Sequence, residues 1–274
     1  METRFEAGKW LCCKHRLPKE QVKLRLFLFP PAGSDIAIYQ RWEEYLPAEM
    51  EICLICLPGR GVRMNERLVD DCNVLVENML ESIQDYLDIP YVLFGHSLGA
   101  LLAYKTAVLA QKKGLRLPEK LFVSSLKPPL HFNEPVACSS GLADPGDGQL
   151  HLMGDEDLKR KLIKNGGIPD IIIENGQIFD FILPTFRNDL KLYETYIPVE
   201  TVRLPVPIDV FGGNSDRVAS RTDLERWSEC SEKEITVATF PGGHFYFTNA
   251  NPIFFFNLSK RLNEILIAVS IRNA

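Results

Sequence analysis

The sequence predicts an α/β fold, with a mostly parallel central sheet and helices on both faces. Two observations predict it. Apolar strand-like runs alternate with stretches of helical period along most of the 274 residues. In addition, Gly95-His96-Ser97-Leu98-Gly99 stands directly between one such run and one such stretch. In chain order, residues 23–29 form a buried strand that ends in the turn Pro30-Pro31-Ala32-Gly33. Residues 36–46 carry Ile38, Tyr39, Trp42, Tyr45 and Leu46 at near-helical spacing before Pro47. Residues 51–57 form a second strand, halted by Pro58-Gly59. The helical period returns over 70–87, on Val74, Leu75, Asn78, Met79, Ser82, Ile83, Tyr86 and Leu87. A short strand at 91–94 is followed by a helix at 98–113 that ends at Gly114, and further strands are expected at 121–125, 208–211 and 235–240. The last helix runs to about residue 271, with Asn251 as its cap and Pro252 in the favoured first position.

One stretch breaks the alternation. Residues 130–205 hold a turn-rich segment at 141–148 and helical patterns at 155–164 and 177–196. Such an insertion commonly covers a site beyond the carboxyl ends of the strands, although it can also be purely structural. A single domain over 1–274 with a helical lid insertion at about 130–205 is expected.

Composition narrows the classes. Hydrophobic residues make up 46% and charged residues 24%, as in ordinary globular proteins. A net charge of −5 gives no general attraction to nucleic acid or anionic lipid. No apolar run reaches the roughly 18 residues of a membrane span, and residues 1–16 lack a continuous apolar core, so a cytoplasmic protein is expected. The seven cysteines are odd in number and fit reduced thiols.

The strand-turn-helix context makes Ser97 a candidate nucleophile at a tight elbow, flanked by glycines because a Cβ would collide with neighbouring chain. The N-terminus of the following helix favours developing negative charge. A serine needs a base and an orienting acid, in the chain order Ser, acid, His for the α/β-hydrolase fold. His15 lies early, His96 adjoins Ser97 in the turn, and His131 and His151 fall in or near the insertion. His244, in the flexible loop Pro241-Gly242-Gly243-His244-Phe245, is therefore the base. The strand after the nucleophile's helix ends Ser124-Ser125 with no carboxylate. The next ends Phe211-Gly212-Gly213-Asn214-Ser215-Asp216, which makes Asp216 the acid. Asp209 lies inside that strand, and Asp223 reads as a first-turn acid of the next helix. For the oxyanion, Leu98 offers the N–H after the nucleophile, and Ala32 is the first donor after two prolines in the early loop.

These residues resemble the type II thioesterases, the discrete editing hydrolases of polyketide and nonribosomal peptide synthesis. The resemblance spans nearly the whole chain. It includes Phe29 to Gly33, Tyr39 with Trp42, Leu57-Pro-Gly-Arg60 with Arg63, and Gly95 to Ala100. In the insertion it includes Gly166-Gly167-Ile168-Pro169, Leu183-Pro184, Arg187, Asp189, Glu194 and Tyr196. Near the end it takes in Gly213 to Asp216, Trp227 and Gly242 to Phe245. It implies the triad Ser97, Asp216 and His244 with oxyanion donors Ala32 and Leu98. Relatives often carry two glycines where this chain has Gly33-Ser34. The implied substrate is an acyl or aminoacyl thioester on the phosphopantetheine arm of an acyl or peptidyl carrier protein domain of a synthase. No cofactor and no metal are implied, and a monomer is expected. Carrier proteins are usually acidic, so docking with a chain of charge −5 needs a local basic or apolar patch.

Three other functions share parts of the pattern: a chain-terminating thioesterase for medium-chain fatty acyl carriers, a general esterase, and a non-catalytic synthase-binding protein. Arg60 and Arg63 could meet the arm's phosphate, but arginines after a Pro-Gly turn are more often structural. Cys53 and Cys56 share a strand at a spacing that points them to opposite faces, which suits core packing better than metal. Asn257-Leu-Ser259 is discounted as a glycosylation acceptor because it sits on a helix, and Phe254-Phe255-Phe256 reads as core.

Overall fold

The computed structural model describes residues 2–132, 149–198, 202–248 and 251–272. Eight strands form one sheet: β1 (Glu2–Glu6), β2 (Leu11–His15), β3 (Leu24–Phe29), β4 (Met50–Ile55), β5 (Tyr91–His96), β6 (Lys120–Ser124), β7 (Ile208–Gly213) and β8 (Thr236–Phe240). Their spatial order is β1-β2-β4-β3-β5-β6-β7-β8. The β1–β2 and β2–β4 pairs are antiparallel and all the others parallel.

The two antiparallel strands are absent from the expectation, which places His15 ahead of the first strand; His15 instead ends β2. The other correction falls on 36–46. Two short 3-10 turns, Ile36–Tyr39 and Trp42–Glu44, replace a continuous helix, and Arg41 between them takes a left-handed conformation at φ 71°. The burial pattern still holds, because Tyr39, Trp42 and Leu46 are buried.

Helices α1 (Cys72–Ile83), α2 (Leu98–Lys112) and α7 (Pro252–Arg272) follow the expected spans within a few residues, a 3-10 turn at Gln84–Leu87 completing the first. Asn251 accepts the N–H groups of Ile253 and Phe254, as a cap should. Short helix α6 (Arg221–Glu225) opens with a Ser220–Asp223 capping box, so Asp223 is a helix-start residue.

Strand alternation splits the core over the two faces. Phe27 and Phe29 pack with α1 and α2, whereas Leu26 and Leu28 pack with Tyr39, Trp42 and the α7 side chains Phe254, Leu258 and Leu262. Cys53 falls in the first cluster and Cys56 in the second, on opposite faces as expected. Phe254 and Phe255 are core, while Phe256 is exposed.

Between β6 and β7 lie α3 (Asp155–Lys164), α4 (Asp170–Ile173) and α5 (Gly176–Glu194). The turn-rich 141–148 stretch lies outside the described residues. These helices have their own apolar cluster, including Leu158, Leu162, Phe179, Leu183, Phe186 and Leu190, and Ala32 of the main body packs against it. Each such buried side chain contributes about 1.5–3 kcal/mol. Two side chains tie the segment before α3 to α5. Arg187 donates to the carbonyls of His151 and Met153, and Glu194 accepts the N–H groups of Leu150 and His151. Among the described residues no helix is long and apolar enough to cross a membrane.

Candidate active site

The carboxyl ends of the parallel strands share one edge. There β3 delivers the 30–34 loop, β5 delivers Ser97, and β7 and β8 deliver the loops holding Asp216 and His244. From β3 the chain adds β4 on one side and then β5 on the other, so the strand order switches at the parallel β3–β5 pair, the position where α/β sheets open a crevice.

Ser97 has φ 54° and ψ −123°, a strained conformation for a residue with a side chain. Close packing holds it there. A Cβ on Gly95 would lie 2.0 Å from the Gly99 carbonyl oxygen, and one on Gly99 would lie 2.1 Å from that of Phe29. The Ser97 N–H donates to the Ser124 carbonyl at 2.8 Å. Leu98 opens α2, where its N–H has no partner within the helix. Ala32, Ser97 and Leu98 line one small crevice of about 30 Å³. Neither Ala32 nor Leu98 uses its N–H in a backbone hydrogen bond among the described residues.

The loops after β7 and β8 are pressed together, backbone on backbone. The Asn214 N–H donates to the Phe240 carbonyl at 2.8 Å, and that of Ser215 to Gly242 at 2.9 Å. This contact brings His244 Nδ1 within 3.1 and 3.2 Å of the two Asp216 carboxylate oxygens. A carboxylate only accepts, so Nδ1 is the protonated donor of this pair. Burial pushes the Asp216 carboxyl up. The charge and hydrogen bond of His244, with the Ser125 hydroxyl and the Val218 N–H, outweigh burial and bring it down to about 2. Ser125 is itself held by its N–H, which donates to the Phe211 carbonyl at 2.9 Å.

Ser97 and His244 make no hydrogen bond to each other in this structure, whereas Asp216 and His244 do. His96 lies beside them, its ring 4.7 Å from that of His244. Its Nδ1 meets the Ser124 hydroxyl at 2.8 Å, which meets the Tyr246 hydroxyl at 2.7 Å. The sequence names neither Ser124 nor Tyr246 as partners; only their places beside the two key turns hint at them.

The other candidates are occupied elsewhere. His131 pairs with Glu229, and His151 with Glu194. Asp209 binds Lys120 and Arg261. Arg63 stacks 3.9 Å above the Trp10 ring and binds Glu66 and the Cys56 carbonyl. Arg60 forms a bidentate pair with Asp189 of α5, so both arginines make structural contacts. A larger apolar cavity of about 870 Å³ runs between the 32–38 loop, residues 59–68 and helices α4 and α5. It does not include Ser97 and meets the small crevice only at Ala32.

A family model for the thioesterase domain matches residues 24–262. The gramicidin S biosynthesis protein GrsT of Aneurinibacillus migulanus is 32% identical over 225 residues, covering 82% of this chain and 83% of that protein. The RedJ thioesterase from the prodiginine biosynthetic pathway in Streptomyces coelicolor superposes with a TM-score of 0.77 at 28% identity, covering 88% of this chain and 87% of its own. The type II thioesterase BorB from the borrelidin biosynthetic cluster has a TM-score of 0.77 at 26% identity, over 95% and 100% of the two chains. The match runs from the first parallel strand into the last helix, and the chain belongs to the thioesterase family, as a thioester-cleaving enzyme of the α/β-hydrolase fold.

Proposed function

We propose that the chain is a cytoplasmic, monomeric type II thioesterase that clears acyl or aminoacyl groups from the phosphopantetheine arm of carrier protein domains in a polyketide or nonribosomal peptide synthase. The observation that carries the reading is His244, oriented by Asp216 and set beside the strained Ser97 turn. The similarity to proteins of the gramicidin S, prodiginine and borrelidin pathways supports the substrate class.

In this reading the Ser97 hydroxyl attacks the thioester carbonyl carbon as His244 Nε2 takes its proton. The carbonyl oxygen becomes an oxyanion and accepts the N–H groups of Ala32 and Leu98. The C–S bond then breaks, the sulfur leaves as a thiol with the proton held by His244, and an acyl-Ser97 ester remains. Water next gives a proton to His244 and attacks the ester, and collapse returns the proton to Ser97 and releases the acid. No cofactor takes part; the arm belongs to the substrate. The chain acts as one domain, with 130–205 as its lid, and the apolar cavity beneath α4 and α5 gives acyl groups a wall.

The test is hydrolysis of an acetyl group loaded on a carrier protein. Ser97→Ala should lose at least a thousandfold in kcat/KM, roughly what loss of a triad nucleophile costs. Activity within tenfold of wild type would overturn the mechanism. A strong preference for medium-chain over short-chain carriers would replace the editing role with chain termination.

A further inference from the structure

We propose that Asp189 of the lid is a positioning residue for the oxyanion loop: it clamps the Gly33 N–H and so sets the direction of the neighbouring Ala32 N–H. The inference rests on the reading of Ala32 as an oxyanion donor. Gly33 donates its N–H to Asp189 Oδ2 at 2.8 Å, across 156 residues of sequence. The same carboxylate receives both terminal nitrogens of Arg60, at 2.5 and 2.7 Å, and its side chain is fully buried. Arg60 also reaches the Ser34 carbonyl at 3.3 Å, so Asp189 and its partner grip the loop at two consecutive residues.

The loop needs an outside anchor. Pro30 and Pro31 have no N–H to donate, and its own turn is closed by the bond from the Ser34 N–H to Pro31 at 3.2 Å. Because a peptide group is planar, fixing the Gly33 N–H fixes the plane that begins at the Ala32 carbonyl. That leaves Ala32 little freedom to turn its own N–H away from the crevice beside Ser97. One turn earlier on α5, Phe186 presses on the same glycine. A Cβ on Gly33, whose φ is +70°, would lie 2.3 Å from the Phe186 ring. Two side chains of one lid helix therefore hold one loop residue, and the oxyanion pocket is complete only when α5 is seated.

A buried ion pair is weak evidence of stability, since apolar residues of similar volume often serve as well. This supplies the experiment. In the full chain, Arg60→Met with Asp189→Leu replaces the pair by apolar side chains and removes the acceptor for Gly33. Arg60→Met with Asp189→Asn also removes the charges but keeps a carbonyl oxygen for the Gly33 N–H. With acetyl-pantetheine as substrate, kcat of the leucine variant should fall about 10- to 100-fold with KM within twofold, while the asparagine variant stays within about fivefold of wild type. An alkyl boronic acid, whose adduct with Ser97 is tetrahedral, should bind the leucine variant more weakly by the same factor as kcat. The S-propyl thioether of pantetheine, which has no reacting carbonyl, should bind both variants equally.

Equal kcat in the two variants overturns the clamp, as does a loss carried by KM and thioether affinity, which marks a lid that only shapes the binding site. Thermal melts of both variants check that they fold. Should the leucine variant not fold, Asp189→Asn alone takes its place, and its oxyanion function should survive because it retains the acceptor. A tenfold loss of boronic acid affinity there overturns the clamp. Ser97→Ala separates the two readings: its loss of activity beside equal double variants removes the clamp alone, and its retained activity removes the function itself.

Discussion

The Ser97 elbow and the 30–34 loop face the same crevice, yet they are held in different ways. At the elbow, backbone meets backbone. Added Cβ atoms at Gly95 and Gly99 would lie 2.0 and 2.1 Å from the carbonyl oxygens of Gly99 and Phe29, and one at Gly213, in the turn before Asp216, 2.1 Å from that of Gly243. At the loop, a Cβ on Gly33 meets the side chain of Phe186, and the Gly33 N–H ends on the side chain of Asp189. Ser97, Asp216 and His244, the proposed nucleophile, acid and base, are thus placed by the ends of the sheet's strands. The proposed oxyanion loop is placed by side chains of an insertion and depends on where that insertion rests.

The largest effect should come from the rigid side without moving it. Asp216→Asn keeps the shape, but the amide offers a donor to His244 Nδ1 and drives the imidazole proton to Nε2, where a base is needed. The loss in kcat should be about 10³- to 10⁴-fold with the fold intact. The same variant tests the linkage. The folded carboxyl titrates at about 2, below its ordinary 3.8. Its contribution, about 2 kcal/mol, is therefore present above pH 4 and is lost as pH falls toward 2. Urea unfolding across that window should show a steeper acid loss in wild type than in the variant.

Glycine substitutions probe the difference directly. Gly99→Ala pushes a methyl group into the Phe29 carbonyl with backbone on both sides, so it should cost about 3 kcal/mol or more of stability. Gly33→Ala asks only that the Phe186 ring turn and that an alanine tolerate positive φ, about 1–2 kcal/mol. It should nevertheless slow kcat about tenfold by unseating the loop. Equal stability losses at the two glycines would mean that the two sides are not held differently after all.

Much of the rigid side was legible in the sequence, because it is local. Gly95 to Gly99 lies between a strand and a helix, and the turns holding Asp216 and His244 end consecutive strands. Helices α3 and α5 of the insertion were legible from period alone, whereas the four-residue α4 is too short to show one. What escaped did so for physical reasons. Residues 2–6 are short and rich in charge, and the apolar part of 11–15 is only Leu11 to Cys13, so neither shows the longer apolar run of a central strand; pairing of 11–15 with the Met50–Ile55 strand, and of 2–6 with 11–15, makes them a sheet edge. The 36–46 stretch has helical apolar spacing, but spacing does not reveal the left-handed Arg41 that breaks it into two turns. The Asp189–Gly33 bond joins residues 156 apart and involves a backbone N–H, so no side-chain pattern announces it. The family resemblance picks out Asp189 without saying what it touches.

The smallest effect expected lies on the rigid side, at His96. Its ring is fully buried, and Nε2 has no hydrogen-bond partner. Burial, and next the charge of His244, hold it well below its ordinary 6.5, with Asp216 opposing them. His96 is therefore neutral in the fold, while the unfolded chain binds a proton there once pH drops below 6.5. Stability present above 6.5 should decline below it by up to about 1.4 kcal/mol per pH unit, one proton's worth. His96→Gln removes that proton. His244, Asp216 and Tyr246 remain in both proteins, so the difference between their slopes isolates His96. Urea unfolding at pH 7.0, 6.0 and 5.0 should give a shallower decline in the variant. Parallel slopes would show that this imidazole takes up a proton inside the fold, and that the elbow side yields more than its backbone contacts imply.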